Sequence, residues 1–228
     1  KNLYLDLYKI PGTVNLDRNV CFSKINTFPN FQCELENYKL FLKKIFNDNK
    51  PYTFFKFGDG DYYFLKKKPN GSAEPGKRAL SLKYSDINHN LFLHGSKMCD
   101  FYTCEIYPEN RKMFSKIFNN KKIDFPAEFN YGLIANKWLL KEFKSSIGLI
   151  GAGPKIDIIK KLMLKDEYKD YLGLEDFQDY ISIPQKFACD NIDTTEKIIS
   201  KQLLKSKSRI FLMGIGHVKS AITYLLPN

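Results

Sequence analysis

The sequence predicts an α/β chain with a mainly parallel sheet flanked by helices. Short apolar runs at 52–57, 147–150, 180–183 and 210–213 have the composition of strands. Three of the four end in glycine turns: Gly58-Asp59-Gly60-Asp61, Gly151-Ala152-Gly153-Pro154 and Gly214-Ile215-Gly216-His217. Helix-periodic segments separate the runs, and strands alternating with helices of this length imply right-handed crossovers and parallel pairing.

Residues 1–35 read as irregular, punctuated by Pro11-Gly12, Asn15, Asn19 and Pro29. Tyr38, Leu40, Phe41, Leu42, Ile45 and Phe46 recur at helical spacing among lysines. They predict an amphipathic helix over 34–46, stopped by Asn47-Asp48-Asn49 ahead of Pro51. Aromatic and β-branched residues then give the strand at 52–57, which runs into the first glycine turn, with a helix starting at Tyr62. Lysines, Pro69-Asn70-Gly71 and Pro75-Gly76 mark a loop over 66–77. Residues 78–120 have a mixed pattern with a helix over 109–119, and Leu133, Ile134, Trp138, Leu139 and Leu140 place another over 131–143. The remainder alternates cleanly: strand 147–150, helix 155–164, strand 180–183, a loop through Asp190, helix 193–205, strand 210–213 and a helix to Leu226. No internal repeat or low-complexity linker divides the chain. The expectation is therefore one Rossmann-like domain over 1–228, and the start at Lys1 instead of Met suggests a piece of a longer protein.

Composition narrows the function. At 228 residues the chain fits one large domain or two small ones, and 43% hydrophobic with 27% charged residues is ordinary for a globular protein. A fibre, a disordered tail and a disulfide scaffold are excluded. No run approaches the ~18 consecutive apolar residues of a membrane span, which leaves peripheral attraction to a charged membrane surface. Cys21, Cys33, Cys99, Cys104 and Cys189 are scattered and odd in number, so reduced thiols in a cytoplasmic setting are expected. Asp6 and Lys9 break the apolar stretch that a signal peptide would need. The net charge of +11 invites a nucleic-acid reading, yet only Arg18, Arg78, Arg111 and Arg209 among the 36 basic residues are arginines. Lysine, asparagine, isoleucine, phenylalanine and tyrosine are the residues of A/T-rich codons, and sequence readers favour arginine's planar fork. Nucleic acid is disfavoured as a partner. An anionic small molecule such as a sugar nucleotide suits the charge.

The densest motif is Lys56-Phe57-Gly58-Asp59-Gly60-Asp61. Two carboxylates two residues apart at the end of a strand can converge on one hard divalent cation, Mn²⁺ or Mg²⁺, shared with substrate phosphates. Gly58 and Gly60 would let a diphosphate approach the backbone closely. The same residues also make a good turn. Gly151 and Gly153, and likewise Gly214 and Gly216, could offer backbone N–H groups to phosphate. Neither pair completes a dinucleotide fingerprint, because Ile156 and Lys219 stand where the third glycine is due. His217 could touch phosphate or act as a base, or simply begin a helix. His89, His94, Cys99 and Cys104 have zinc-ligand chemistry, but a spacing of five residues turns a helical side chain by ~500° and scatters the four. Tyr131 and Trp138 could stack on a sugar or simply pack a helix.

Lys56 to Asp61, followed by the apolar Tyr62, Tyr63, Phe64 and Leu65, resembles the Arg-Phe-Gly-Asp-Gly-Glu signature of GT-D-type glycosyltransferases. Residues 147–154 resemble that family's strand–glycine turn, Ile183-Pro184 its short Ile/Pro region, and 211–226 its last strand–Gly–helix unit. The resemblance covers roughly 36–226. It implies a Rossmann-like hexosyltransferase in which Asp59 and Asp61 hold Mn²⁺ or Mg²⁺ against a UDP-sugar, UDP-glucose being the suggested donor, with a glycan as acceptor. It further implies that Lys56 and the backbone at Gly58 and Gly60 assist the phosphates. Asp61 stands where the family has Glu, Lys56 where it has Arg, and the family's further strand after the last helix has no counterpart before Asn228. Asp190, Glu128 and His217 are the candidate bases, with nothing in their spacing to choose among them. Two rival readings remain. One is a Rossmann-like S-adenosylmethionine-dependent methyltransferase built on Gly151-Ala152-Gly153. The other is a non-catalytic basic module for acidic glycans or nucleic acid.

Overall fold

Every strand pairing among the described residues is parallel. The computed structural model describes residues 31–67, 81–105, 108–184, 188–189 and 191–226. Helix α1, Phe31–Asn47, buries Leu35 and Tyr38 one turn apart and sets Phe41 against the rings of Phe54, Phe101 and Phe125. Its first residues fall in the stretch expected to be irregular. No Gly or Pro stands between 31 and 47 to stop the helix, and Leu35 extends the buried stripe one turn ahead of Tyr38. The rest of that stretch, 1–30, lies outside the described residues.

Strand β1, Phe54–Phe57, buries Phe55 and Phe57 and leaves Phe54 and Lys56 half-buried, the alternation a pleated strand imposes. Helix α2, Asp59–Leu65, follows at once. The mixed region resolves into β2, Ser81–Leu82, helix α3, Asp86–Lys97, and β3, Phe101–Cys104. Ser85 caps α3 by accepting the Asn88 N–H at 3.1 Å. Helix α4, Pro108–Ile117, precedes β4, Phe125–Pro126. The helix expected over 131–143 is two helices, α5, Ala127–Ala135, and α6, Trp138–Glu142. Lys137, in the left-handed region at φ 63°, breaks them apart.

The C-terminal part runs β5, Ile147–Ala152; α7, Gly153–Leu162; α8, Asp166–Leu172; β6, Asp179–Ile183; β7, Ala188–Cys189; α9, Ile192–Leu203; and β8, Ile210–Gly214. Helix α8 was not foreseen. The single last helix is a 3-10 turn, Gly216–Val218, a short helix α10, Lys219–Ile222, and a second 3-10 turn, Thr223–Leu225.

The strands form two three-stranded sheets, ordered β1-β3-β4 and β6-β5-β8, and a two-stranded pair, β2-β7. The α/β class and the parallel pairing are as expected, in sheets smaller than the alternation suggested. One apolar cluster joins them: Phe55, Phe57 and Tyr102 pack in the same core as Ile150, Ile181 and Ile183. No helix among the described residues is long and apolar enough to cross a membrane.

Two details of this packing aim the site. The register pairs Phe57 with Cys104, so Gly58 and Glu105 leave the ends of β1 and β3 side by side. Helix α3 meets α10 at Gly95, where an added Cβ would sit 2.5 Å from the Ala221 carbonyl oxygen. That obstacle is backbone and cannot swing aside. Gly95→Ala is therefore expected to push α10 outward and to cost about 1–3 kcal/mol of stability in urea melts; an unchanged midpoint would contradict the close approach.

Candidate functional site

Lys56, half-buried on β1, donates to Glu105 Oε1 at 3.0 Å. Glu105 is 7% exposed, and its own N–H donates to the Phe57 carbonyl at 3.2 Å, prolonging the β1–β3 pairing past the strand ends. Tyr131 of α5 donates to the same Oε1 at 3.1 Å, and Asn110 of α4 donates to Oε2 at 3.0 Å. Three donors from three elements thus compensate a carboxylate removed from water, the condition a buried charge requires. The Lys56 ammonium also lies 4.7 Å from the Tyr131 ring centroid. Burial alone would favour the neutral amine of Lys56, but Tyr131 and Glu105 override it and raise the pKa, so the lysine stays charged. Burial pushes the Tyr131 hydroxyl up to about 12 and keeps it a donor.

Gly58 is needed for space. Its φ of −127° suits any residue, yet a Cβ there would lie 2.5 Å from Lys56 Nζ and 3.1 Å from Glu105 Oε1. The glycine lets the ammonium fold across the turn.

The two aspartates part company. Asp59 is exposed, its Oδ1 accepting the Gly60 N–H at 2.7 Å. Asp61 is 3% exposed and occupies the third position of α2, where its Oδ2 reaches back to the Gly58 N–H at 2.9 Å. Ser220 donates to Asp61 Oδ1 at 2.7 Å, and Lys219 Nζ lies 3.2 and 3.3 Å from the two oxygens. Burial alone would raise the Asp61 pKa, but Lys219, the Gly58 N–H and Ser220 outweigh it and hold it below the usual carboxylate value.

The expected convergence of Asp59 and Asp61 on one open cation site does not occur in this arrangement, because one carboxylate is in solvent and the other is enclosed by its own donors. Among the described residues no group of three or more His, Cys, Asp or Glu is placed to hold a metal ion. The residues at the turn do not fit a two-carboxylate chelate as they stand.

His217 is 7% exposed, and its Nε2 accepts the Leu82 N–H at 3.1 Å. The same nitrogen lies 3.2 Å from the Leu82 carbonyl oxygen, so the ring accepts from the N–H in one tautomer and donates to the carbonyl in the other. Burial holds its pKa below the usual imidazole value, against the pull of Asp61. The ring packs 5.1 Å from Phe64 and ties β2 to the 3-10 turn after β8. Its contacts are structural, to the Leu82 backbone, within the electrostatic reach of Asp61.

Gly151 and Gly153 belong to the other three-stranded sheet, at the β5–α7 junction. A Cβ on Gly153 would meet only the Ile183 carbonyl at an ordinary 3.6 Å, while one on Gly151 would press on Ile156 at 3.3 Å. Gly214 has a Cβ's worth of room, with Ile150 O at 3.9 Å, whereas Gly216 sits at φ 68°, which favours glycine. Glu128 is half-buried in the first turn of α5. Asp190 lies outside the described residues.

The structure thus brings Lys56, Gly58, Asp59, Gly60 and Asp61 together with His217 near Asp61. It adds Glu105, Asn110, Lys219 and Ser220, which sequence reasoning missed, and gives Tyr131 a polar role it had not been assigned. One usable signal existed: Glu105 directly follows the strand-like Phe101-Tyr102-Thr103-Cys104.

Asp61 and His217 both bind protons less readily in the folded chain, so the unfolded chain gains protons first as pH falls and acid destabilises the fold. The His217 contribution is complete above ~6.5 and is lost below it; the Asp61 contribution is complete above ~3.9 and is lost as pH falls through its lower folded value. Thermal melts are expected to show the Tm falling between about pH 7.5 and about pH 5.5, less steeply in His217→Gln. A flat native profile over that range would contradict this reading.

No family model, curated protein or solved structure matches the chain at a significant level. What the site does must be read from its own residues.

Proposed function

We propose that the chain is a Rossmann-like glycosyltransferase of the GT-D type that moves a hexose from a UDP-sugar to a glycan or related acceptor. The observation that carries this reading is Lys56: a cation held by Glu105 against the Tyr131 ring, still 29% exposed along its side chain, two residues before a glycine turn with an exposed aspartate. Ligands of open α/β sheets bind beyond the carboxyl ends of the strands, which is where Gly58 and Glu105 emerge.

In such a transfer the bond between the anomeric carbon and the diphosphate oxygen breaks with its electron pair leaving on UDP. A new bond forms from the acceptor oxygen, whose proton must be taken up. Lys56 is positioned to offset the charge that builds on the departing diphosphate, and because Glu105 already orders it, little entropy is lost on binding. Gly58 and Gly60 keep side chains out of the way of the phosphates. Asp59 supplies the exposed carboxylate at the same turn for a sugar or acceptor hydroxyl. Asp61 acts one step back, fixing the turn through the Gly58 N–H.

Calorimetric titration of UDP into the native chain and into Lys56→Met tests the reading. The native chain is expected to bind UDP, and Lys56→Met to bind at least about tenfold more weakly with its circular-dichroism spectrum intact, the loss of one charge-assisted contact. Failure of the native chain to bind UDP, with or without Mn²⁺, would contradict it, and binding of S-adenosylmethionine in its place would favour the methyltransferase reading.

A further inference from the structure

We propose that Lys219 is a built-in cation that takes the place of a divalent ion against Asp61, so that the anionic ligand of the Gly58–Asp61 turn is bound without metal. The identity of that ligand rests on the sugar-nucleotide reading; the exclusion of metal at Asp61 does not.

The geometry is that of a clamp. Lys219 Nζ is nearly equidistant from the two Asp61 oxygens, at 3.2 and 3.3 Å. A hard divalent ion seated on the same carboxylate would need its own oxygen contacts at roughly 2.0–2.6 Å, in the space the ammonium fills. The remaining acceptor directions are occupied too, Oδ1 by Ser220 at 2.7 Å and Oδ2 by the Gly58 N–H at 2.9 Å. Ser220 also accepts from Lys219 at 3.2 Å, which fixes the ammonium from a second side.

Nor can the lysine easily swing away. It is carried by α10, whose approach to α3 is set by backbone contact at Gly95, and its ammonium lies 5.3 Å from the Phe55 ring centroid. Its side chain is 19% exposed and that of Asp61 4%, so a metal ion would have to displace a shielded partner and leave a buried ammonium unpaired. The second carboxylate near the turn, Glu105, is engaged in the same way by Lys56, Tyr131 and Asn110. Of the three carboxylates Asp59, Asp61 and Glu105, Asp59 alone is exposed, and one surface carboxylate makes a poor cation site.

The test uses Mn²⁺ alone, followed by the electron paramagnetic resonance of the free ion, on the native chain, Asp59→Asn, Lys219→Met and the double variant Lys219→Met/Asp59→Asn. UDP calorimetry in EDTA and in Mn²⁺ runs beside it. The native chain and Asp59→Asn are expected to show the same weak Mn²⁺ uptake, and Mn²⁺ to leave any UDP affinity of the native chain unchanged. Lys219→Met, with Asp61 released, is expected to gain Mn²⁺ affinity by about tenfold or more and to lose the gain in the double variant. Saturable native Mn²⁺ binding that Asp59→Asn removes would overturn the proposal, as would UDP binding that appears only with Mn²⁺, or a folded Lys219→Met that gains nothing. If Lys219→Met fails to fold, the native chain and Asp59→Asn decide alone, since Asp59 is exposed. Absence of UDP binding in every condition would sink the sugar-nucleotide reading while the Mn²⁺ comparison still judges this one.

Discussion

The buried contact between Asp61 and Lys219 is what the rest of the site depends on. It joins groups 158 positions apart, and so fastens the turn after β1 to the short helix α10 that follows β8. Removing a carboxylate and an ammonium from water costs several kcal/mol each, and attraction between them repays that only when every remaining lone pair also finds a donor. Here the Gly58 N–H and the Ser220 hydroxyl complete the set. The Gly58 bond in turn starts α2 at Asp59, and the start of α2 decides which way the two aspartates point. Approach of α10 to Asp61 depends on Gly95, where α3 carries no side chain to keep Ala221 away.

A second pair, Lys56 with Glu105, sits on the other side of the same turn and differs in one respect that bears on function. The Lys219 ammonium is spent on Asp61 and Ser220, whereas Lys56 is partly exposed and has donor capacity left beyond Glu105. Two ammonium–carboxylate pairs of similar chemistry thus divide the work, one holding the turn in shape and the other offering an ordered positive charge at its edge. Gly58 serves both, donating its N–H to Asp61 and leaving the space that Lys56 folds across. This arrangement supplies cationic character at a glycine turn from side chains alone, which is why a diphosphate ligand and a metal-free site belong together in the proposal.

Elements with strong local signals were legible in the sequence. The strands ending at Phe57, Ala152, Ile183 and Gly214 are apolar runs closed by glycine, proline or a polar turn, and they were placed to within a few residues. What escaped notice depended on weak or distant signals. Helix α1 begins at Phe31, three residues ahead of the expected start, in a stretch without a strong capping signal, and the break at Lys137 shows only in a backbone angle that no residue type announces. At the site, Gly58-Asp59-Gly60-Asp61 marks the turn that follows β1, but two carboxylates at that spacing look the same on paper whether they face one ion or opposite environments. The buried partner of Asp61 is Lys219, in a segment where the glycines carry a sequence signal and the lysine carries none. Glu105 was hidden for a related reason: β3 is only four residues long, and without its end located the acidic residue there had no special standing.

The central claim is that Asp61 and Lys219 act as one unit, and a double-mutant cycle on that pair tests it most directly. Urea unfolding of the native chain, Asp61→Asn, Lys219→Met and the double variant yields the coupling energy. The account predicts strong non-additivity, roughly 1–3 kcal/mol, with the double variant more stable than the two single losses would sum to. Additive losses, with coupling near zero, would show the two groups to be independent and would contradict it.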